Sequence, residues 1–364
     1  MGIMLIGYVF LASFLLAVGL VPIVMRLASR WNIVDKPGVR KIHSTPKPLL
    51  GGLAIYLAFM IVVAGPIALA VAFGDQAWLS ERLPWLVSRM PRLIQVLPKL
   101  LLILGCGTLM MIVGVCDDAM KDRFSYKWKF VGQIVAAILL VAGGVRTEFM
   151  PGHALDVVVS VLWVVGITNS FNLLDNMDGL SAGVAVVAAL VFFCATWFQG
   201  QIFMALILMT LAGSASGFLI YNFKPSKLFM GDSGSLFLGF MFGALTLAAS
   251  YRIPQGSSLL PVAMPVVILS VPLYDTFSVI LIRMMEKRPV FVGDKSHFSH
   301  RLVALGFSER GAVLLIYLIG LCVGCGALLL PYIPVWGSIL VMVQTVMVYL
   351  LITALMVVSM KNKK

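Results

Sequence analysis

Eleven apolar runs, each about long enough to cross a membrane, occupy most of this 364-residue chain and limit what it can fold into. They lie at roughly 3–25, 50–73, 99–116, 130–145, 155–171, 179–198, 201–222, 235–250, 259–284, 312–331 and 335–360. A helical span needs about 17–25 such residues. Backbone N–H and C=O groups in lipid must be satisfied internally, which makes these runs helices. The first run has no small-residue cleavage site and is read as a retained helix. Only 12% of the residues are charged, against roughly 25% in a soluble domain. The expected fold is therefore an all-α polytopic membrane protein of eleven helices, or ten if adjoining short runs merge, forming one integral membrane unit over 1–364.

Charge sets the orientation. With the N-terminus outside, the segments about 26–49, 117–129, 172–178, 223–234 and 285–311 face the cytoplasm, as does the tail. All but six of the 27 Lys and Arg residues then lie on that side, the exceptions being Arg82, Arg89, Arg92, Lys99, Arg146 and Arg252. This is the positive-inside pattern. It accounts for the net charge of +12 through sidedness, anionic lipids or an anionic substrate, and no nucleic acid is expected. The five cysteines lie in or beside apolar runs, and the Cys322/Cys325 pair is read as small packing residues.

The acids gather on the same side, which positive-inside sorting does not require. "GVCDDAM" ends an apolar run with Asp117 and Asp118 side by side. On a helix they point about 100° apart, and their repulsion calls for a cation or a shared proton. In "NSFNLLDNMDGL", Asn172, Asp175 and Asp178 recur every third residue, so a helical turn would stack three oxygen-bearing side chains suited to a hard cation. In "FMGDSGSL", Gly231 and Gly234 flank Asp232 at the start of an apolar helix. Free N–H groups there would favour phosphate, whereas Asp232 could equally serve only as an N-cap. "GDKSHFSHRL" brings His297, His300 and Arg301 together, a set suited to a pyrophosphate. The first loop, "RKIHSTPKPLLGG", contributes Arg40 and His43. Asp275 lies inside a span and is a functional candidate by cost alone, with Pro272 expected to break its helix. Carboxylates for Mg²⁺, bases for phosphates and access to lipid together suggest phosphoryl-group chemistry on a lipid at the inner leaflet. A transporter would instead place its polar groups near the midplane.

At these residues the chain resembles the polyprenyl-phosphate N-acetylhexosamine-1-phosphate transferases, glycosyltransferase family 4. "DD" at 117–118, "NLLDNMDGL" at 172–180, "FMGDSGSL" at 229–236 and "HFSHRL" at 297–302 appear in the family's order, and the likeness runs from about Asp35 to Leu302. The muramoyl-pentapeptide branch typically shows "GTPTMGG" in its first loop and three consecutive histidines in its last. "RKIHSTPKPLLGG" and the spaced pair His297/His300 look like the N-acetylglucosamine branch instead.

The resemblance implies transfer of N-acetylglucosamine-1-phosphate from UDP-N-acetylglucosamine to undecaprenyl phosphate, with release of UMP. The enzyme would be Mg²⁺-dependent, with Mn²⁺ as a substitute, and would sit in a bacterial plasma membrane at the start of teichoic acid, O-antigen lipopolysaccharide or related glycans. It gives Asp232 and Asp118 the metal, makes Asp117 base or orienter, and places Asn172 and Asp175 at the metal and pyrophosphate. Asp178 and Phe229 match uracil positions, with Asn222 bordering the nucleotide. Lys121 and Lys129 are assigned to phosphates, and His297, His300 and Arg301 to the sugar-phosphate end. Membrane lipids are expected partners, and a homodimer is left open.

Overall fold

The computed structural model describes residues 2–35, 46–73, 81, 90–120, 123–251, 260–289 and 296–362. Arg40, His43 and Lys121 lie outside the described residues. Among the described residues the chain is all-α, apart from a two-residue antiparallel ladder joining Val34–Asp35 to Lys47–Pro48. The helices are α1 (Gly2–Arg30), α2 (Gly51–Phe73), α3 (Met90–Met120), α4 (Tyr126–Ala142), α5 (His153–Leu174), α6 (Leu180–Phe198), α7 (Ile202–Asn222) and α8 (Gly231–Ala248). They continue with α9 (Met264–Ile268), α10 (Ser270–Met285), the short α11 (Phe298–Ala304), α12 (Glu309–Ala327) and α13 (Val335–Asn362).

Among the described residues, nine helices are long and apolar enough to cross a membrane, and the bent pair Leu260–Ile268 and Ser270–Met285 makes a tenth. The remaining run forms α4, whose 17 residues rise about 26 Å, slightly less than the roughly 30 Å hydrocarbon core. The 72° bend falls at Leu269, three residues before the expected breaker. The reason is local. Pro272 has no N–H to give the carbonyl at position 268, and its ring clashes with that same carbonyl. Helix α9 accordingly stops at Ile268.

Helix α8 is the axis of the bundle, with 78% of its span buried. Its buried residues run all the way round it, as in a helix enclosed on all sides, with its polar groups gathered in the first turns and at Thr246. Phe242 stacks on Phe171 of α5 at 5.0 Å between ring centroids, while Phe237 meets Tyr56 and Phe59 of α2 edge-on. Helix α1 lies along α7, where Gly213 and Gly217 form a small-xxx-small stripe. A Cβ at either position would stand 2.4 Å from a carbonyl oxygen of α1, at Phe10 or Phe14. Helix α13 is the outermost, with 11% of its span buried. It is tied to α10 by Tyr349, which hydrogen-bonds Ser270 (2.8 Å) and stacks on Tyr274. Cys322 and Cys325, expected to pack between helices, are exposed on α12.

Candidate active site

The N-terminus of α8 is where the acidic motifs meet. Asp117 and Asp118 lie not in a loop but in the last turn of α3, so their side chains diverge. Asp118 is buried and turns toward α8, where its two oxygens accept the N–H groups of Asp232 (2.9 Å) and Ser233 (3.1 Å). A neighbouring helix thus supplies the cap that the sequence alone would ask of Asp232. This differs from the expectation of free N–H groups awaiting phosphate, because two of them are already bonded. It also explains the first glycine. Gly231 has φ +73°, and a Cβ there would stand 2.5 Å from Asp118 Oδ2. The second glycine serves packing: Gly234 lies against Gly52 of α2, where a Cβ would come 2.7 Å from the Gly52 Cα.

Relieved of capping, the Asp232 carboxylate faces a cluster of polar groups. Its Oδ2 accepts from Lys129 Nζ in the first turn of α4, and its Oδ1 accepts from Asn172 Nδ2 at 3.0 Å. Asn172 also donates to Ser235 Oγ (2.9 Å), and Lys129 reaches Asp117 Oδ2 at 3.3 Å. One ammonium therefore bridges two carboxylates about four-fifths buried. Below them the amides of Gln133 and Asn169 bond reciprocally, tying α4 to α5 one turn beneath Lys129 and Asn172.

Asn172, Asp175 and Asp178 do not share a helical face. Helix α5 stops at Leu174, Asp175 is its C-cap, and Gly179 turns the chain with φ +79°. Burial, and then the negative charges of Asp232, Asp118 and Asp178, hold the Asp175 carboxyl well above the usual carboxylate range. Asp178 points elsewhere. It accepts from the Ser226 N–H (3.1 Å) and Oγ (2.9 Å), and Lys47 Nζ lies 3.7 Å away. That lysine, one of the first-loop bases, supplies the positive charge that the 172–178 segment lacks. It also sits 4.8 Å above the Phe229 ring, joining Asp178, Ser226 and Phe229 into one wall. Asn222 lies behind this wall, buried, with its amide accepting from Gly179 N–H and donating to Leu228 O, both at 3.0 Å.

The last motif joins the same face. Asp275, fully buried in α10, accepts from Phe298 N–H (2.6 Å) and pairs with His297 Nδ1 (2.9 Å). The intramembrane carboxylate thus caps α11 and orients an imidazole. His300 stands 6.4 Å from His297 between ring centroids. Arg301 donates to Ser278 Oγ and lies over Tyr274, with its Nε buried and unbonded. Ser299 Oγ donates to Asn176 Oδ1 (2.6 Å), which links α11 to the Asp175–Asp178 turn.

Among the described residues, no three His, Cys, Asp or Glu side chains are grouped to hold an ion. The paired carboxylates are Asp117 and Asp232, which share Lys129, whereas Asp118 spends its oxygens on the α8 N-terminus. The family resemblance pairs Asp118 with Asp232 instead. Adjacent letters do not reveal which of two acids turns outward.

The glycosyl transferase family 4 model matches residues 100–250, the stretch from α3 through α8. A probable undecaprenyl-phosphate N-acetylglucosaminyl 1-phosphate transferase of Bacillus subtilis is 34% identical over 341 residues, covering 91% of this chain and 87% of that protein. A decaprenyl-phosphate N-acetylglucosaminephosphotransferase of Mycobacterium tuberculosis is 32% identical, covering 81% and 75%. A phospho-N-acetylmuramoyl-pentapeptide-transferase of Bacillus pumilus is 28% identical, covering 90% and 96%.

Proposed function

This chain belongs to glycosyl transferase family 4, the polyprenyl-phosphate N-acetylhexosamine-1-phosphate transferases, and on that premise we propose that it transfers N-acetylglucosamine-1-phosphate from UDP-N-acetylglucosamine to undecaprenyl phosphate. The site faces the cytoplasm of a bacterial plasma membrane, and the product begins a cell-envelope glycan such as teichoic acid or O-antigen. The observation that carries the reading is the meeting of Asp117, Lys129, Asn172 and Asp232 at the ends of four membrane helices. The relatives named for N-acetylglucosamine transfer support the donor.

In the reaction an oxygen of the lipid phosphate attacks the sugar-bearing phosphorus of the donor. A new P–O bond forms, the bond to UMP breaks, and UMP leaves with the electron pair. The attacking phosphate is already largely ionised near neutral pH, its second pKa being about 6, so little proton removal is asked of Asp117. Asp117 orients the acceptor. Lys129, held between two carboxylates, offers positive charge to the phosphates as they approach. Asn172 keeps the Asp232 carboxylate aimed.

Mg²⁺ fits this set, since it commonly takes one or two carboxylates and completes its shell with substrate phosphates and water. Asp232 and Asp117 would hold it. When bound it would offset the repulsion between anionic reactants and stabilise the departing charge. The wall of Lys47, Asp178 and Phe229 holds uracil by stacking and hydrogen bonding, braced from behind by Asn222. His297, His300 and Arg301 contact the sugar-phosphate end, with Arg301 steadied by Ser278 and Tyr274.

The test supplies purified protein with undecaprenyl phosphate, Mg²⁺ and different UDP-sugars, and measures UMP release. UDP-N-acetylglucosamine should exceed UDP-N-acetylmuramoyl-pentapeptide by at least about tenfold, or about 1.4 kcal/mol. A pentapeptide preference would move the chain to the other branch. EDTA and Asp232→Asn should each abolish turnover, and more than about a tenth of the activity surviving Asp232→Asn would remove Asp232 as a ligand.

A further inference from the structure

A cavity of about 620 Å³ lies away from the carboxylate cluster. It lies toward the other end of the bundle, between Lys99 of α3, the α4–α5 connection, the C-terminal end of α8 and the start of α9. Lys99 and Asp118 share helix α3 and are separated by 19 positions, about 28 Å of helix rise. That is close to the thickness of the hydrocarbon core, so the cavity opens at the opposite membrane boundary.

Its lining is unusual for that side. Only six of the 27 Lys and Arg residues belong there by the charge pattern, and two of them, Lys99 and Arg146, line this one cavity. Neither forms an ion pair within the described residues, and the one acid of the lining, Glu148, is exposed. Tyr251 also lines the cavity. Its side chain is more than nine-tenths buried, yet its hydroxyl has no hydrogen-bond partner. A buried hydroxyl left unbonded is costly and calls for a partner. The rest of the wall is largely apolar and includes Val159, Trp163, Leu247 and Val266.

Two cations and an orphan hydroxyl beside an apolar wall, at a membrane boundary, match an amphiphile with an anionic head. We infer that this cavity binds the phosphate headgroup of an anionic phospholipid from the outer leaflet, held by Lys99, Arg146 and the Tyr251 hydroxyl, with its first chain carbons along the apolar wall. The site is separate from the transfer site. It also touches the bent pair that carries Asp275, because Pro265 and Val266 of α9 form part of its wall.

The test uses the full chain in detergent, mixed with phosphatidylglycerol or phosphatidylcholine of identical acyl chains, and counts retained lipids by native mass spectrometry. Wild type should keep one phosphatidylglycerol at least about fivefold better than phosphatidylcholine. Lys99→Gln with Arg146→Gln should remove that preference, and Tyr251→Phe should weaken it about threefold. Undiminished preference in the double variant overturns the assignment. Inorganic phosphate that binds as well and displaces the lipid would make this a free-anion site, which overturns the lipid part. Should the double variant not fold, a photoactivatable phosphatidylglycerol on wild type decides. Crosslinks at 144–150 or 246–251 support the site, and crosslinks confined elsewhere overturn it.

Discussion

Gly231→Ala tests whether Asp118 acts by holding the start of α8. Two costs can be worked from the structure. The backbone at position 231 has φ +73°, a left-handed conformation that costs a residue with a Cβ about 1–2 kcal/mol. The new methyl would also stand 2.5 Å from Asp118 Oδ2, where ordinary contact begins at 3.4 Å, so the carboxylate must retreat by about 0.9 Å. That movement breaks the bonds from Asp232 N–H (2.9 Å) and Ser233 N–H (3.1 Å). Hydrogen bonds to a charged group contribute about 1.5–3 kcal/mol each. The ceiling is about 4–8 kcal/mol, and backbone relaxation recovers part of it. Even about 1.4 kcal/mol felt at the transition state is a tenfold loss. The expected result is a kcat/KM at least about tenfold lower, with an apparent Tm at least about 5 °C lower by scanning fluorimetry. Gly65→Ala is the control, because a Cβ there meets nothing within 4 Å. If Gly231→Ala keeps half its activity and melts with wild type, Asp118 does not seat α8 in the way described.

Three other outcomes follow from the same geometry. Asp175 has a folded-state pKa raised above its unfolded value of about 3.9, so the folded protein binds that proton more tightly and stability falls as pH rises toward the folded value. In EDTA, Asp175→Asn should melt with wild type near pH 4 and increasingly above it toward pH 8, while losing transfer; a gap that is constant or narrows with pH contradicts the shift. Lys129→Met leaves Asp117 and Asp232 without their shared ammonium and should cut UMP release at least about 100-fold, or about 2.7 kcal/mol, with Lys129→Arg partly active; a tenth of wild-type turnover in the Met variant would count against the bridge. Ser125 is exposed just before α4, so Ser125→Cys should react with a membrane-impermeant thiol reagent only from the cytoplasm; labelling of intact cells from outside would invert the proposed orientation.

Much of this was legible in the chain because lipid leaves few options. Each apolar run had to be helical, and each is, the run at 259–284 as a bent pair. The acids at 117–118, 172–178 and 232 could be brought to one face by counting spans. Handedness and partners were not legible. Nothing in "DD" says that Asp118 turns inward to cap α8 while Asp117 faces Lys129. The three-residue spacing of Asn172, Asp175 and Asp178 suggests a stacked row, but the helix stops at Leu174, before Asp175 and Asp178 can join it. Lys47 could not be paired with Asp178, and Asp275 could not be paired with His297, since both contacts are tertiary. Pro272 is legible as the breaker, but where its break falls is not: the bend comes at Leu269, three residues before it.

The cap that α8 borrows from α3 also bears on the order in which the molecule is made. Asp118 and the N–H groups it receives are 114 and 115 positions apart in the chain. When α8 enters the bilayer its first turn carries unsatisfied N–H groups, and α3 has been waiting with a carboxylate that has no helix to hold. Each is a misfit until the other docks. The Asp232 carboxylate therefore takes up its position only when the two helices have found each other. A nascent chain released before α8, or one in which α3 is misplaced, presents no half-built centre to the lipid phosphates around it.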